Sequence, residues 1–239
     1  MKQNEVMLTK ELLQSLSESF ETKQPQEVLA AAIERYAPKI VLACSFGAED
    51  VVLLDMVHRI NPSVPLFYLD TEFLFPETYA ARDRVIEHYG LQPQQVMQVK
   101  SLLTPEQQAA QHGEALWARQ PDQCCELRKV EPLTRVLKGF DAWITGIRRD
   151  QSPTRAHAKL IEWDQKFQLV KINPLAKWTW EDVWTYIRIY EVPYNELHDR
   201  NYPSIGCTYC TSPVMPGEDP RAGRWKNFTK TECGLHKAS

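Results

Sequence analysis

The chain has 239 residues, which is enough for one sizeable α/β domain with a substantial core. Its formal net charge of −3 argues against general attraction to nucleic acid or to an anionic membrane, so any anionic ligand must be held by local basic residues. No apolar run approaches the roughly 18 residues of a membrane span, and the first residues lack the apolar segment of a signal peptide. We therefore expect a cytoplasmic protein with reduced cysteines and with no nucleic-acid or membrane partner.

Hydrophobic periodicity predicts helices and strands that alternate along most of the chain. Two helices are expected within residues 9–36, parted near Pro25. A last helix begins after the N-cap Thr179 and runs through Tyr190. Between them, short apolar runs predict buried strands at residues 39–44, 65–70, 95–99, 141–146 and 168–172. This alternation predicts an α/β fold in which a parallel sheet carries helices on both faces.

The composition changes near residue 193. From there on the chain is rich in Pro, Gly, Tyr and Cys and shows no clear period, so it is too irregular for a second hydrophobic domain. We interpret it as an irregular C-terminal lobe that a cofactor supports. The expected organisation is a helical segment over residues 1–36, an α/β domain over 37–192 and this C-terminal segment over 193–239, all within a single domain.

Four of the six cysteines form two pairs with the chemistry of a metal site. Cys124 and Cys125 are adjacent, and Cys207 and Cys210 form a CxxC motif. Thiolates are the soft ligands that zinc and iron–sulfur clusters prefer. Adjacent side chains diverge, which is awkward for one zinc ion, whereas neighbouring cysteines can each bind a different iron of a cluster. A cluster is therefore favoured, and zinc stays open.

The two remaining cysteines differ in character. Cys44 ends a buried strand and is interpreted as a small core residue. Cys233 stands near the C-terminus between Lys230 and His236, and nearby positive charge lowers a thiol pKa and raises its thiolate fraction. Lys129, four residues after Cys125, would share its helical face and could offset the charge of a cluster. The alternatives are a free thiol without function and a solvated lysine.

Candidate ligand-binding residues follow three of the predicted strands. Strand ends and helix N-termini at one edge of an open α/β sheet bind anions and nucleotides. Paired arginines suit a phosphate or a sulfate. An ordinary strand-to-helix turn, a turn-capping aspartate and a solvated arginine pair are the alternatives. The candidates are Ser45, Phe46 and Gly47 after the first strand, Asp70 and Thr71 after the second, and Gly146 with the paired Arg148 and Arg149 after the fourth, with Arg221 and Arg224 added from the C-terminal segment.

Taken together, these motifs resemble the assimilatory adenylyl-sulfate reductases, relatives of the phosphoadenylyl-sulfate reductases. The resemblance covers residues 38–236 and rests on seven segments that occur in the family's order. They are 45–50 (SFGAED), 68–71 (YLDT), 124–129 (CCELRK), 145–152 (TGIRRDQS), 207–210 (CTYC), 221–225 (RAGRW) and 232–236 (ECGLH). A glycine-rich Ser-Gly-Gly loop would instead indicate an ATP pyrophosphatase, and Phe46 occupies the first of those glycine positions.

The resemblance implies an adenine nucleotide α-hydrolase-like fold and a 4Fe–4S cluster on Cys124, Cys125, Cys207 and Cys210. It implies that Cys233 attacks the sulfur of adenylyl sulfate, releasing AMP and forming an S-sulfocysteine. Reduced thioredoxin or glutaredoxin then releases sulfite, in sulfate assimilation for cysteine biosynthesis. The tail would close for the first step and swing out for the second.

By carry-over, His236 and Lys129 assist Cys233, and Arg148, Arg221 and Arg224 offset the charge of the sulfate. Ser45, Phe46 and Gly47 would hold the phosphosulfate, with Asp70, Thr71 and Gly146 near the nucleoside. A reductase that also accepts 3′-phosphoadenylyl sulfate stays open, as do a homo-oligomer and a nucleotide-binding redox sensor stapled by zinc.

Overall fold

The computed structural model of the chain describes residues 2–226, 228, 230 and 232–235, with side chains from residue 11 on. Six strands of this part of the chain form one sheet. They are β1 Ile40–Ala43, β2 Leu66–Asp70, β3 Val96–Lys100, β4 Ala142–Ile144, β5 Ile161–Asp164 and β6 Leu169–Ile172. Their order across the sheet is β3-β2-β1-β4-β6-β5.

Helices connect and flank these strands. They are α1 Lys2–Ser19, α2 Pro25–Tyr36, α3 Ala48–Ile60, α4 Pro76–Tyr89, α5 Pro105–His112, α6 Leu116–Arg119, α7 Pro121–Cys125, α8 Glu131–Leu137 and α9 Trp180–Tyr190. The predicted break near Pro25 is confirmed, and so is the start of α9 after Thr179, whose side chain accepts from the backbone N–H of Asp182. Among the described residues, no helix combines the length and the apolar character needed to cross a membrane.

The two faces of the sheet are both covered, as expected for buried parallel strands. Alternate residues of a strand point to opposite faces. In β1, Leu42 belongs to the larger apolar cluster, which includes residues of α2, α3 and α9. Its neighbour Val41 belongs to a smaller cluster, in which Leu133 and Leu137 of α8 cover the other face. The predicted fold class is therefore confirmed.

One strand departs from the prediction of a parallel sheet. β5 was not predicted, and it runs antiparallel to β6 at the edge of the sheet, with Ile161 opposite Ile172. A short turn joins the two strands, and Gln168 in this turn has a left-handed backbone with φ of 57°. Two of the four residues of β5, Glu162 and Trp163, are only partly buried, so the strand lacks the apolar run that marks the central strands.

The buried carboxylate of Asp55 links α3 to two other helices, α4 and α9. Asp55 of α3 is only 2% exposed. It accepts hydrogen bonds from the hydroxyl of Tyr89 at 2.9 Å, the hydroxyl of Tyr186 at 2.7 Å and Nε of Arg59 at 2.7 Å. A buried charge is tolerated only when it is paired and hydrogen-bonded. This network therefore holds the helix whose N-terminus adjoins the β1 loop.

We predict that Tyr186→Phe lowers the free energy of unfolding by about 1.5–3 kcal/mol, because it removes a hydrogen bond to a buried charged group. Denaturant unfolding with an unchanged m-value would measure this loss. Tyr190→Phe is the matched control, since Tyr190 lies on the same helix and is 44% exposed. Equal stability of the Tyr186→Phe and Tyr190→Phe variants would contradict the prediction.

Candidate active site

A cavity of about 320 Å³ lies at the edge of the sheet where β1, β2 and β4 end. β1 pairs with β2 on one side and with β4 on the other, because the chain runs outward from β1 through β2 and β3 and then crosses back to β4. Open α/β sheets bind their ligands at such a switch point, outside the carboxyl ends of the strands. Residues from 203–206, 220–225 and 232–235 of the C-terminal segment complete the cavity wall.

The loop between β1 and α3 brings Ser45, Phe46 and Gly47 to the cavity wall. The backbone N–H and the hydroxyl of Ser45 both donate to Oδ2 of Asp50, each at 2.6 Å. Burial raises the pKa of Asp50 to about 6, although the hydrogen bonds from Ser45 act in the opposite direction. Phe46 adopts a left-handed backbone with φ of 59°, and its buried ring meets Tyr68 edge-on at 5.5 Å between centroids. The loop therefore has a defined conformation before any ligand binds.

Gly146, at the end of β4, also lines the cavity. A Cβ atom at this position would overlap Oδ1 of Asp50 and crowd the side chain of Glu49. The loop after β4 and the N-terminus of α3 can therefore approach this closely only because residue 146 has no side chain.

Asp70 and Thr71 end β2 but face different surroundings. Asp70 is 2% exposed and is not part of the cavity wall. Its carboxylate accepts from the hydroxyl of Tyr79 at 2.7 Å, the amide of Gln98 at 2.5 Å and the backbone N–H of Glu72 at 2.9 Å. Thr71 does line the cavity, and its Oγ1 lies 3.3 Å from Sγ of Cys207.

The two adjacent arginines after β4 are both engaged by carboxylates. Arg148 lines the cavity, but its guanidinium donates to Glu49 at 2.9 Å and to Asp150. Arg149 points away from the cavity and pairs with Glu21 at 2.6 Å. The pair therefore does not form the joint anion site that its sequence suggests, and Arg148 contributes to the wall as part of an ion-pair network.

Cys233 lines the cavity next to several cationic side chains. The wall also holds the side chains of Lys129, Arg155, Arg221 and Arg224. Arg224 donates to the hydroxyl of Ser204 at 3.0 Å and lies over the ring of Trp225, with its Cζ 4.6 Å from the centroid. These cations come from three separate stretches of the chain, and the fold collects them around one thiol.

Lys129 belongs to a π-helical turn, Glu126–Val130, between α7 and α8. Such turns are rare and frequently occur at functional sites. The prediction placed Lys129 beside Cys125 by the four-residue spacing of an α-helix. A π-helical turn is wider, so the two residues are not related by that regular spacing. Burial opposes the charge of Lys129, but attraction to the negative charge of Cys207, Cys233 and Cys125 in their thiolate form outweighs that effect and raises the pKa of the ammonium. Lys129 is therefore a cation that lies between the cavity and the paired cysteines.

The pKa of Cys233 is lowered by its surroundings. Burial acts to raise it, but Lys129, a hydrogen bond from the backbone N–H of Leu235 and the charge of Arg224 together outweigh burial. A lower thiol pKa gives a larger thiolate fraction at neutral pH, and the thiolate is the nucleophile. His236, the other predicted partner of Cys233, lies outside the described residues.

The four paired cysteines meet beside the main cavity. Cys124 and Cys125 at the end of α7 and Cys207 and Cys210 of the C-terminal segment line one small pocket. Burial, with the adjacent thiols of Cys125, Cys207 and Cys210, raises the pKa of Cys124 to about 12. Four thiolates could not form together here without a positive centre to bind them.

The chemistry of this pocket fits an iron–sulfur cluster. Its wall contains two N–H groups, Nη2 of Arg128 and Nε1 of Trp225, that are buried and have no hydrogen-bond partner among the described residues. Buried donors without partners are costly. Thiolate or sulfide sulfurs of a cluster would be acceptors for them, and hydrogen bonds to sulfur are a common feature of such centres.

Within the part of the chain that the structure describes, no group of three or more His, Cys, Asp or Glu side chains is arranged as a site for a metal ion. A tetrahedral zinc site needs four ligands within about 2.3 Å of one point. A cluster distributes its ligands over several irons, so adjacent cysteines such as Cys124 and Cys125 can each bind a different one.

Among the charged residues that sequence reasoning gave no role in the site are Arg155 and Glu232 of the cavity wall. Glu232 is bound to Arg155 by two hydrogen bonds, at 2.9 Å and 2.8 Å. The sequence did contain a signal for each residue. Glu232 directly precedes the candidate nucleophile, and Arg155 is a third arginine after Arg148 and Arg149. Nothing in the sequence pairs the two residues, because 77 positions separate them.

The chain is similar to known proteins over most of its length. The model of the phosphoadenosine phosphosulfate reductase domain matches residues 39–213. A protein of Halalkalibacterium halodurans named adenosine 5′-phosphosulfate reductase is 49% identical over 225 residues, which is 94% of this chain and 96% of that protein. The adenosine 5′-phosphosulfate reductase 2 of Bacillus subtilis is 48% identical over 231 residues, which is 97% of this chain and 94% of that protein.

Solved structures agree with the sequence comparison. The phosphoadenylyl-sulfate reductase of Candida auris, in a phosphate complex, is similar with a TM-score of 0.75 and 34% identity, over 86% of this chain and 97% of that one. A yeast FAD synthetase, with a TM-score of 0.56 and 15% identity over 85% of this chain and 75% of that one, shares the fold alone. The matched domain and these relatives establish that the chain belongs to the phosphoadenosine phosphosulfate reductase family.

Proposed function

We propose that this chain reduces adenylyl sulfate to sulfite and AMP, with Cys233 as the nucleophile. The observation that carries the proposal is the position of the Cys233 thiol. It lies in the wall of a nucleotide-sized cavity beside Lys129 and Arg224, and its pKa is lowered there. The names of the relatives support the reaction class, since several are called adenosine 5′-phosphosulfate reductases.

In the first step the thiolate of Cys233 attacks the sulfur of the sulfuryl group. The bond between that sulfur and the bridging oxygen breaks, and AMP leaves with the electron pair. The product on the enzyme is S-sulfocysteine. Attack of one anion on another requires positive charge at the reacting group, which Lys129, Arg221 and Arg224 supply, and we expect His236 to assist them.

In the second step a thiol of reduced thioredoxin or glutaredoxin attacks Sγ of Cys233. Sulfite leaves, and a mixed disulfide forms between Cys233 and the donor. The second thiol of the donor then displaces Cys233 and completes a disulfide within the donor. The donor is oxidised, and the sulfur is reduced from the level of sulfate to that of sulfite. We place this reaction in the reducing cytoplasm, within sulfate assimilation for cysteine biosynthesis.

The nucleotide would occupy the cavity at the carboxyl edge of the sheet. We assign Ser45, Phe46 and Gly47 to the phosphosulfate, and Thr71 and Gly146 to the nucleoside, because all five line the cavity. Asp70 would act outside the cavity, where it stabilises the end of β2 by accepting hydrogen bonds from Tyr79 and from the backbone of Glu72. Arg148 keeps Glu49 and the loop after β4 in place.

We further propose that Cys124, Cys125, Cys207 and Cys210 hold a 4Fe–4S cluster. When bound, the cluster would cross-link α7 to the C-terminal segment and need not transfer electrons, since the donor thiols supply both. Lys129 lies between this pocket and the cavity, so its charge serves the cysteine ligands and Cys233 together. A zinc-stapled redox sensor is the rival, and the adjacent positions of Cys124 and Cys125 favour a cluster over a single ion.

We predict that Cys233→Ser lowers AMP release and sulfite formation by more than about a thousandfold, because no thiolate remains to attack the sulfur. Its iron content and visible absorption should equal those of the native protein. Cys44→Ala is the matched control, since Cys44 is a buried cavity-wall thiol to which we give no chemical role. Sulfite formation by Cys233→Ser at the native rate would overturn the nucleophile assignment.

The cluster is tested by metal content. Protein prepared without oxygen should be brown and contain iron and acid-labile sulfide in equal amounts. Cys210→Ser should lose this absorption, because a ligand is removed, and Cys44→Ser should retain it. Stoichiometric zinc in a colourless native protein would contradict the cluster and favour the sensor.

Substrate choice is tested with equal concentrations of adenylyl sulfate and its 3′-phosphorylated form, without oxygen and without thiol donor. We expect one equivalent of AMP per chain from adenylyl sulfate, since the S-sulfocysteine cannot turn over. An equal burst of adenosine 3′,5′-bisphosphate from the other nucleotide would establish dual use. A burst from the 3′-phosphorylated form alone would contradict the assignment of adenylyl sulfate.

A further inference from the structure

The residue before Cys233 makes the most extensive buried polar contacts in the described part of the tail, 230 and 232–235. Oε1 of Glu232 accepts from Nε of Arg155 at 2.9 Å and from the hydroxyls of Thr154 at 3.2 Å and Ser152 at 3.4 Å. Oε2 accepts from Nη2 of Arg155 at 2.8 Å, and Nη2 of Arg221 lies 3.3 Å away. This bidentate arrangement is the strong form of an arginine–carboxylate pair.

The pair is protected from solvent. The side chains of Glu232 and Arg155 are each only 10% exposed, and that of Arg221 is 16% exposed. Burial opposes the charge of Glu232, but Arg155 and Arg221 outweigh it and lower the pKa of the carboxyl. Glu232 is therefore ionised at neutral pH, and removing its charge would leave Arg155 with an uncompensated buried charge.

Other contacts of the tail are more exposed or apolar. Nζ of Lys166 donates to the carbonyl of Gly234 at 3.0 Å in an exposed position. Lys230, whose own side chain is 8% exposed, pairs with Asp122, whose side chain is 88% exposed. Leu235 is partly buried against the smaller apolar cluster. Water screens an ion pair that has an exposed partner, so the pair of Glu232 with Arg155, in which each side chain is only 10% exposed, is the stronger polar attachment of the tail.

We propose that Glu232 is a positioning residue that holds Cys233 in the cavity for the first step by its ion pair with Arg155 of the loop after β4. The proposal rests on the proposed role of Cys233 as nucleophile. Consecutive Cα atoms are about 3.8 Å apart, so fixing Glu232 places the neighbouring thiol within a narrow range. Misplacement of a reacting group by about 1 Å can cost a hundredfold in rate.

The ion pair affects the two steps in opposite ways. The first step requires Cys233 inside the cavity, where Glu232 holds it. The second step requires the sulfur of Cys233 to meet a protein thiol outside, so the contact between Glu232 and Arg155 must then break. A weaker contact should slow the first step and leave the second step as fast or faster. General damage to the fold would slow both.

The test uses cluster-containing protein with four forms of the chain: native, Glu232→Gln, Glu232→Asp and Glu114→Gln. Glu232→Gln removes the charge at almost constant size, and Glu232→Asp keeps the charge on a shorter side chain. Glu114 is exposed and distant in sequence, so Glu114→Gln is the matched control. Three quantities are measured: AMP formed in one turnover without thiol at saturating adenylyl sulfate, sulfite released from preloaded S-sulfo protein by reduced thioredoxin, and maleimide labelling of Cys233 in substrate-free protein.

For Glu232→Gln we expect AMP formation to slow by about a hundredfold, maleimide labelling to accelerate, and sulfite release to be no slower than in the native protein. Glu232→Asp should lie between Glu232→Gln and native, and Glu114→Gln should equal native. Arg155→Gln should reproduce the Glu232→Gln result, and the double variant should be no slower than either single variant, because both remove the same contact.

Native AMP formation by Glu232→Gln, or equal slowing of both steps, would overturn the role of Glu232. These outcomes leave the proposed function intact as long as the native protein forms one equivalent of AMP. Failure of the native protein to form any AMP without thiol would instead overturn the assignment of Cys233, and with it the premise of this proposal.

Discussion

The positive charge around the Cys233 thiol is the interaction on which the proposed chemistry of this molecule depends. In the proposed reaction a thiolate approaches a sulfuryl group that is itself anionic, and this is unfavourable unless cations lie close to both. The chain carries a net charge of −3, so the charge must be local. Lys129 and Arg224 provide it, and they lower the pKa of Cys233 against the opposing effect of burial.

The topology of the sheet explains why these groups meet. β1 lies between β2 and β4, and the loops that follow these three strands open on the same edge. The C-terminal segment crosses this edge, where an isolated bridge pairs Leu74 with Cys207. Cys207 and Cys210 of the segment meet Cys124 and Cys125 of α7 in one pocket, and Glu232 pairs with Arg155. The cavity is thus assembled from parts of the chain that are far apart in sequence.

The central strands and the two cysteine pairs, Cys124 with Cys125 and Cys207 with Cys210, could be predicted from sequence, because each is visible in a short stretch of the chain. An apolar run such as 40–43 marks a buried strand, and residues after parallel strands share one edge. The antiparallel strand β5 was not predicted, because it is short and half-buried and belongs to a hairpin at the edge of the sheet. The direction in which a side chain points could not be predicted either. Asp70 follows β2 as expected, but its carboxylate serves Tyr79 and Gln98 behind the cavity.

Charge pairing was the least predictable part of the site. Two adjacent arginines suggested an anion site, yet Arg148 pairs with Glu49 and Arg149 with Glu21. Arg155 and Glu232 were missed, because their contact joins positions 77 residues apart. Local sequence patterns reveal which residues are charged, whereas the long-range fold decides which charges neutralise each other and which face a ligand.

Mass spectrometry of the chain after exposure to adenylyl sulfate without thiol donor tests the central claim most directly. The account predicts one added SO₃ group per chain, confined to the peptide that contains Cys233 and removed by reduced thioredoxin with release of sulfite. An unmodified Cys233 peptide from protein that nevertheless converts adenylyl sulfate to AMP and sulfite would contradict it.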